Sequence, residues 1–166
     1  MTKNNLAIIV LNWNGADDAL ECISSLARQT LKPAIIIVDN HSHDDSVMRF
    51  EQYQTEHPSV DCIIIANNKN LGFAGGINTG LVYAREQGFK YIGVLNPDAI
   101  ADKNWCRALV DELSSQPKCG IATGILQRRD GKTLDTTGDF YTTWGLPGPR
   151  NRDEPIENAP SKPGEV

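Results

Sequence analysis

Several familiar signatures are missing from these 166 residues. No Cys-x-x-Cys pair occurs. The four cysteines, Cys22, Cys62, Cys106 and Cys119, are widely spaced, which excludes a zinc ribbon or a thioredoxin-like redox site. They read as reduced core thiols rather than disulfides. The first apolar run is not followed by Gly-x-G-x-x-Gly, and no Gly-x₄-Gly-Lys-[Ser/Thr] occurs, so neither a dinucleotide fingerprint nor a P-loop holds a phosphate here. Positive charge is scarce and scattered. The net charge is −5 and the only basic pair is Arg128–Arg129, which argues against a nucleic-acid partner. The longest apolar run near the start, Leu6–Leu11, is too short for a signal peptide or a membrane span, and the expected location is cytoplasmic.

What is present is a repeating pattern. Leu6–Leu11, Ala34–Val38, Cys62–Ala66 and Tyr91–Leu95 are short runs of apolar residues. Each reads as a strand buried on both faces. Between them, Asp17 or Asp18 to Ala27, Ser46–Glu56 and Leu81–Gln87 carry helical spacing or caps, and Trp105–Leu113 follows as a fourth helix. Gly120–Leu126 reads as a fifth strand. Alternation of this kind predicts an α/β fold: a mostly parallel, Rossmann-like sheet with helices on both faces. Five of the nine prolines fall in Pro147–Pro163, and few large apolar residues follow Leu146. The expected organisation is therefore one domain over 1–144, incomplete at its end, and a Pro-rich loop or disordered tail over 145–166.

Every one of the four runs stops at a polar cluster: Asn12–Gly15, Asp39–Asp45, Asn67–Gly76 and Asn96–Asp98. In a parallel sheet these ends share one edge, where α/β proteins bind ligands. Asp39 is placed to hydrogen-bond a ribose or base, or else to serve as a turn and cap residue. Asp98 is placed to hold a divalent cation against a diphosphate, since Mg²⁺ and Mn²⁺ favour hard oxygen donors and share them with substrate phosphates. Asn-Pro-Asp as a plain turn is the alternative, and Asp102 reads as a helix-start residue. His41 and His43, beside Asp44 and Asp45, resemble a metal cluster in composition. Two histidines two apart in an extended turn are expected to point to opposite sides, and His57 reads as a surface residue. The glycines of Gly72–Gly80 allow either a close approach to a ligand or close helix–sheet packing. Trp13 could stack on a base or pack in the core.

Four segments, Ile9–Gly15 (IVLNWNG), Val38–Ser46 (VDNHSHDDS), Asn68–Gly80 (NKNLGFAGGINTG) and Val94–Ala99 (VLNPDA), together resemble the family 2 inverting glycosyltransferases of the GT-A fold, in particular their rhamnosyltransferase-like branch. The resemblance runs from Leu6 to about Gly138. It implies a donor site formed by Leu11, Asn12, Asn14, Asp39, Asn70, Gly72, Gly75 and Asn96. Asp98 would be the surviving acid of a DxD-type motif, on Mg²⁺ or Mn²⁺. The implied partners are a UDP- or dTDP-linked sugar donor and a saccharide or lipid-linked acceptor. Peripheral association of the full-length protein with the inner face of a membrane, and self-association, remain open under this resemblance. The family's acid-rich catalytic segment has no match here and is expected beyond Val166. Asp153, Glu154, Glu157 and Glu165 lack its apolar context. On this basis the chain carries the donor-binding half, and is expected to bind donor nucleotide weakly and to transfer sugar poorly or not at all by itself. Two other readings stand beside it: a non-catalytic nucleotide-sugar-binding module, and a nucleotidyltransferase. The second would need a basic glycine-rich loop, and Asn12–Asp18 contains neither Lys nor Arg.

Overall fold

The computed structural model describes residues 5–162 and Gly164. Pro163, Glu165 and Val166 lie outside the described residues. The chain divides into two compact units, Met1–Arg107 and Ala108–Val166.

The first unit is a four-stranded sheet. Its strands are β1 (Leu6–Asn12), β2 (Ala34–Asp39), β3 (Cys62–Ala66) and β4 (Tyr91–Leu95), in the order β3-β2-β1-β4, and every pairing is parallel. The two central strands are buried along their whole length, which is why they carry unbroken apolar sequence. The edge strands are only partly covered, and Ile92 and Val94 of β4 are exposed.

Helices α1 (Ala16–Ala27), α2 (Ser46–Glu56) and α3 (Gly72–Glu86) connect the strands. In α1 the buried residues Ala16, Ala19, Cys22, Ile23 and Leu26 recur at helical spacing, and Asp17 and Asp18 sit in the first turn, where the helix dipole favours negative charge. Helix α3 covers one face of the sheet. Its Ile77 and Ala84 pack with Ala7, Ile9 and Leu11 of β1 and Ile36 and Val38 of β2. The alternate residues, Ile8, Val10, Ile35 and Ile37, are as deeply buried and point to the opposite face, against which α1 packs. The expected parallel sheet with helices on both faces is the observed fold.

Helix α3 starts nine residues before the expected helix at Leu81. The glycines of Gly72–Gly80 lie inside it, and of their two expected uses Gly76 and Gly80 serve close helix–sheet packing. Gly76 and Gly80, one turn apart, form a bare stripe on which β1 rests: a methyl group at Gly80 would stand 2.7 Å from Cγ2 of Ile9, and one at Gly76 would stand 2.4 Å from Cδ1 of Leu11. Packing has overridden the low helix propensity of glycine.

Helix α4 (Trp105–Ser115) begins in the first unit and continues into the second. Of the expected fifth strand Gly120–Leu126 only Leu126 lies in a strand, β5 (Leu126–Gln127), which pairs antiparallel with β6 (Leu134–Thr136). Ile121, within the expected strand, is 87% exposed, so the apolar run there has no sheet to enter. Strands β7 (Asp139–Tyr141) and β8 (Pro147–Pro149) form a hairpin, and Ile156–Asn158 is a 3₁₀ turn. The proline-rich segment thus contains regular structure, tied to the rest of its unit by the Leu134 N–H bond to the Glu154 carbonyl (2.8 Å) and by an Arg128–Asp153 ion pair. Among the described residues, no helix is long and apolar enough to cross a membrane.

Candidate donor site at the carboxyl edge of the sheet

The register aligns the strand ends. Asn12 lies beside Asp39, Asp39 beside Ala66, and Val10 beside Leu95. The ladder continues past the strands, with Asn40 N–H on the Asn12 carbonyl (2.8 Å) and Asn67 N–H on the Asp39 carbonyl (2.9 Å). All four polar clusters therefore leave the sheet at the same edge.

The ends of β1 and β2 are joined by a buried polar network. Asn12 is fully buried, and its Nδ2 donates to Asp39 Oδ1 (2.9 Å) and Ser42 Oγ (3.2 Å). Asp39, 2% exposed, accepts two further hydrogen bonds from one residue: Ser42 Oγ donates to Oδ1 (2.5 Å) and Ser42 N–H to Oδ2 (2.9 Å). Asn14, in the left-handed region at φ 53°, donates its N–H to Ser42 Oγ (2.9 Å) and accepts from the His43 N–H (2.7 Å). A carboxyl group buried among such donors is fixed in place with its oxygens hydrogen-bonded. Oδ1 of Asn12 is buried and has no hydrogen-bond partner, the one such side-chain atom among the described residues. Leu11 has its side chain in the core beneath α3.

On the other side of β2 the loop from Asn67 to Gly72 is held by Asn40. Asn70 accepts the Gly72 N–H (2.8 Å), and Gly72, at φ +70°, turns the chain into α3. Gly75 sits in the first turn of α3, and a methyl group there would meet Cβ of Leu71 at 2.6 Å. Leu71 and Phe73 are exposed beside this turn, and Trp13, 58% exposed, projects from the end of β1 rather than into the core.

At the end of β4, Asn96–Ala99 is a turn closed by the Ala99 N–H on the Asn96 carbonyl (3.1 Å). The same carbonyl accepts the Cys22 thiol from α1 (3.5 Å), which anchors the turn to the helix beneath it. Asn96 and Asp98 are both exposed. Burial, with the Asp98 charge adding to it, pushes the Cys22 thiol up to about 12. Among the described residues no three His, Cys, Asp or Glu side chains gather into a metal cage. A single exposed carboxylate suits a hard cation such as Mg²⁺ or Mn²⁺ whose other ligands are water and substrate phosphate. Asp98 fits that half-site. The expected divergence of His41 and His43 is corrected: their rings meet edge to face at 5.0 Å, because His41 adopts a left-handed backbone (φ 66°) that turns it back toward its neighbour.

Ser42 and Asn40 are the two residues that the sequence reading did not single out. Their signal was the side-chain-rich sequence DNHS directly after a buried strand.

A parallel β3-β2-β1-β4 sheet with its polar clusters on the carboxyl edge is a Rossmann-like domain of the GT-A type. The chain belongs to glycosyl transferase family 2, whose family model matches residues 7–164. Among solved structures it is similar to the mannosyltransferase PcManGT from Pyrobaculum calidifontis in complex with GDP-Man and Mn²⁺, at TM-score 0.69 and 21% identity, over 76% of this chain and 36% of that one. It is also similar to S. aureus TarS 1–349 in complex with UDP-GlcNAc, at TM-score 0.58 and 16% identity, over 74% of this chain and 38% of that one. A third likeness is to 4-diphosphocytidyl-2C-methyl-D-erythritol synthase, at TM-score 0.54 and 13% identity, over 93% of this chain and 74% of that one. The chain thus spans well under half the length of the first two proteins. No curated protein matches it in sequence.

Proposed function

We propose that this chain is the donor-binding portion of a glycosyltransferase that uses a nucleotide-diphospho-sugar. The observation that carries the reading is the gathering of all four strand-end clusters on one sheet edge in a member of glycosyl transferase family 2. Asn12, Asn14 and Asp39 take the nucleoside, with Leu11 as the floor beneath them. Asn70, Gly72 and Gly75 approach the diphosphate and sugar, and Asn96 and Asp98 face the leaving group. PcManGT in complex with GDP-Man and Mn²⁺ and TarS in complex with UDP-GlcNAc support a diphospho-sugar donor. The rhamnosyltransferase-like motifs favour UDP or dTDP as its nucleotide.

Mg²⁺ or Mn²⁺ held at Asp98 would supply charge neutralisation for the departing diphosphate. In the reaction, an acceptor hydroxyl oxygen bonds to the anomeric carbon as the bond from that carbon to the phosphate oxygen breaks. The nucleoside diphosphate leaves with the electron pair, and the hydroxyl proton passes to a carboxylate base. A single displacement inverts the anomeric centre. The strand-end residues bind and orient the donor for this step, and none of them is assigned as the base. A saccharide or lipid-linked hydroxyl is the proposed acceptor.

Calorimetric titration of UDP, dTDP and GDP, with and without Mn²⁺, tests the reading on the chain and on Asp98→Ala. Metal-dependent binding that disappears in the variant is expected. Binding indifferent to both metal and variant would remove the metal half of the proposal, and absence of binding by any of the three would remove the donor site from this chain.

A further inference from the structure

We propose that Asn40 is the positioning residue of the donor loop. It holds 67–72 in the shape in which that loop meets the donor, and in this respect the inference rests on the reading above. Asn40 is 3% exposed, and its side-chain amide uses its full bonding capacity on one short segment. Nδ2 donates to Asn70 Oδ1 (2.9 Å) and to the Gly72 carbonyl (3.1 Å). Oδ1 accepts from Asn67 Nδ2 (3.1 Å) and from the Leu71 N–H (3.0 Å). Four bonds thus run from a single side chain to Asn67, Asn70 and Leu71, which lie outside helices and strands, and to Gly72, the first residue of α3. Gly76 leaves room for this amide, since a methyl group there would stand 3.3 Å from Cγ of Asn40.

The doublet Asp39-Asn40 divides the work at the end of β2. Asp39 binds back to Asn12 and Ser42, and Asn40 binds forward to the glycine loop. Successive side chains at a strand end point to opposite sides, so two adjacent residues can serve two loops. The donor loop is thereby referenced to the same strand end that carries the nucleoside contacts. A buried amide network of this kind is costly to break in part, because each lost bond leaves its partner unsatisfied.

Amide hydrogen-exchange protection factors, read by NMR between pH 5 and 8, test this in the chain, in Asn40→Ala and in Asn40→Asp, with UDP affinity measured alongside in the presence of Mn²⁺. In Asn40→Ala, Leu71 and Gly72 are expected to lose protection by about tenfold or more. Val10 in β1 and Ile23 in α1 are expected to keep theirs. Asn40→Asp retains the acceptor for Leu71 but sets an oxygen against Asn70 Oδ1 and the Gly72 carbonyl, so Gly72 alone loosens. As the pH falls and the introduced carboxyl gains a proton, one donor returns and Gly72 protection recovers, with UDP affinity recovering in step. A purely structural role would give no such pH profile. Equal loss of protection across the sheet, an unchanged loop, or a loosened loop with unchanged UDP affinity would each overturn the proposal. Failure of the donor reading looks different: the unmodified chain then binds no UDP, while the protection pattern still decides whether Asn40 holds the loop.

Discussion

Gly80→Ala places the packing of α3 on the sheet under a quantitative test. The new methyl group would stand 2.7, 3.1 and 3.2 Å from Cγ2, Cγ1 and Cδ1 of Ile9, which is fully buried in the central strand β1. Ile9 is β-branched and stiff at χ1, so no single rotation clears all three atoms. Overpacking of this kind costs about 1–3 kcal/mol, and the rigid side chain favours the upper end. Against it, Ala in place of Gly within a helix contributes about 1 kcal/mol. The expected net loss is about 2 kcal/mol. The decisive step is to repeat the change in the Ile9→Ala background. That variant alone loses about 2–5 kcal/mol, but it empties the space in front of Gly80. The same Gly80→Ala change there is expected to stabilise, by about 1 kcal/mol from helix propensity alone. Urea unfolding followed by far-ultraviolet circular dichroism measures all four proteins. An equal loss in both backgrounds would show that Gly80 is needed for some reason other than room for Ile9, and the packing account of α3 would fail.

The cysteines and the strand-end carboxylate give two further tests. Burial pushes Cys22 and Cys106 up to about 12 and Cys62 up to about 11, with the Asp98 charge adding to the first and the Asp61 charge to the last. The unfolded chain gives up these protons near 9.0, so stability is whole below that pH and declines as pH rises toward 11 to 12. A thiol reagent at pH 8 is accordingly expected to find Cys119 quickly and the other three only in denaturant; rapid reaction of Cys22 would contradict its burial. Asp39→Asn turns an acceptor of Asn12 and Ser42 donors into a group that also donates, and is expected to cost about 2–3 kcal/mol. Ser42→Ala removes one hydroxyl from the same network and is expected to cost about 1 kcal/mol, a ranking that urea midpoints can check.

Much of this architecture was legible because it depends on local sequence. Strands that are buried on both faces must be apolar throughout, and they must end where the chain needs hydrogen-bonding side chains. The reading of β1 and β2 fell one residue short only because Asn12 and Asp39 extend the parallel ladder with polar side chains. What was hidden depends on contacts distant in sequence. A glycine run says the same thing locally whether it forms a loop or a helix face, and only Ile9 and Leu11 decide the matter for Gly80 and Gly76. The partners of Asn40 lie about 30 residues away (|i−j| of 27 to 32), out of reach of any local pattern. The apolar character of Gly120–Leu126 was equally ambiguous, and only its last residue found a partner strand.

The strand order has a consequence for how the site comes together in time. Asn12 and Asp39, at the β1–β2 pairing, are 27 residues apart in the chain. The β1–β4 pairing joins Ile9 to Val94, roughly three times as far along the chain, so its loop-closure entropy is greater by about 1 kcal/mol. Contacts across the shorter span close first, and the unit β1–α1–β2 then serves as the template on which β4 docks. The Asn12–Asp39 half of the carboxyl edge is therefore expected to assemble early. The turn bearing Asn96 and Asp98 reaches that edge only with the most distant pairing in the sheet.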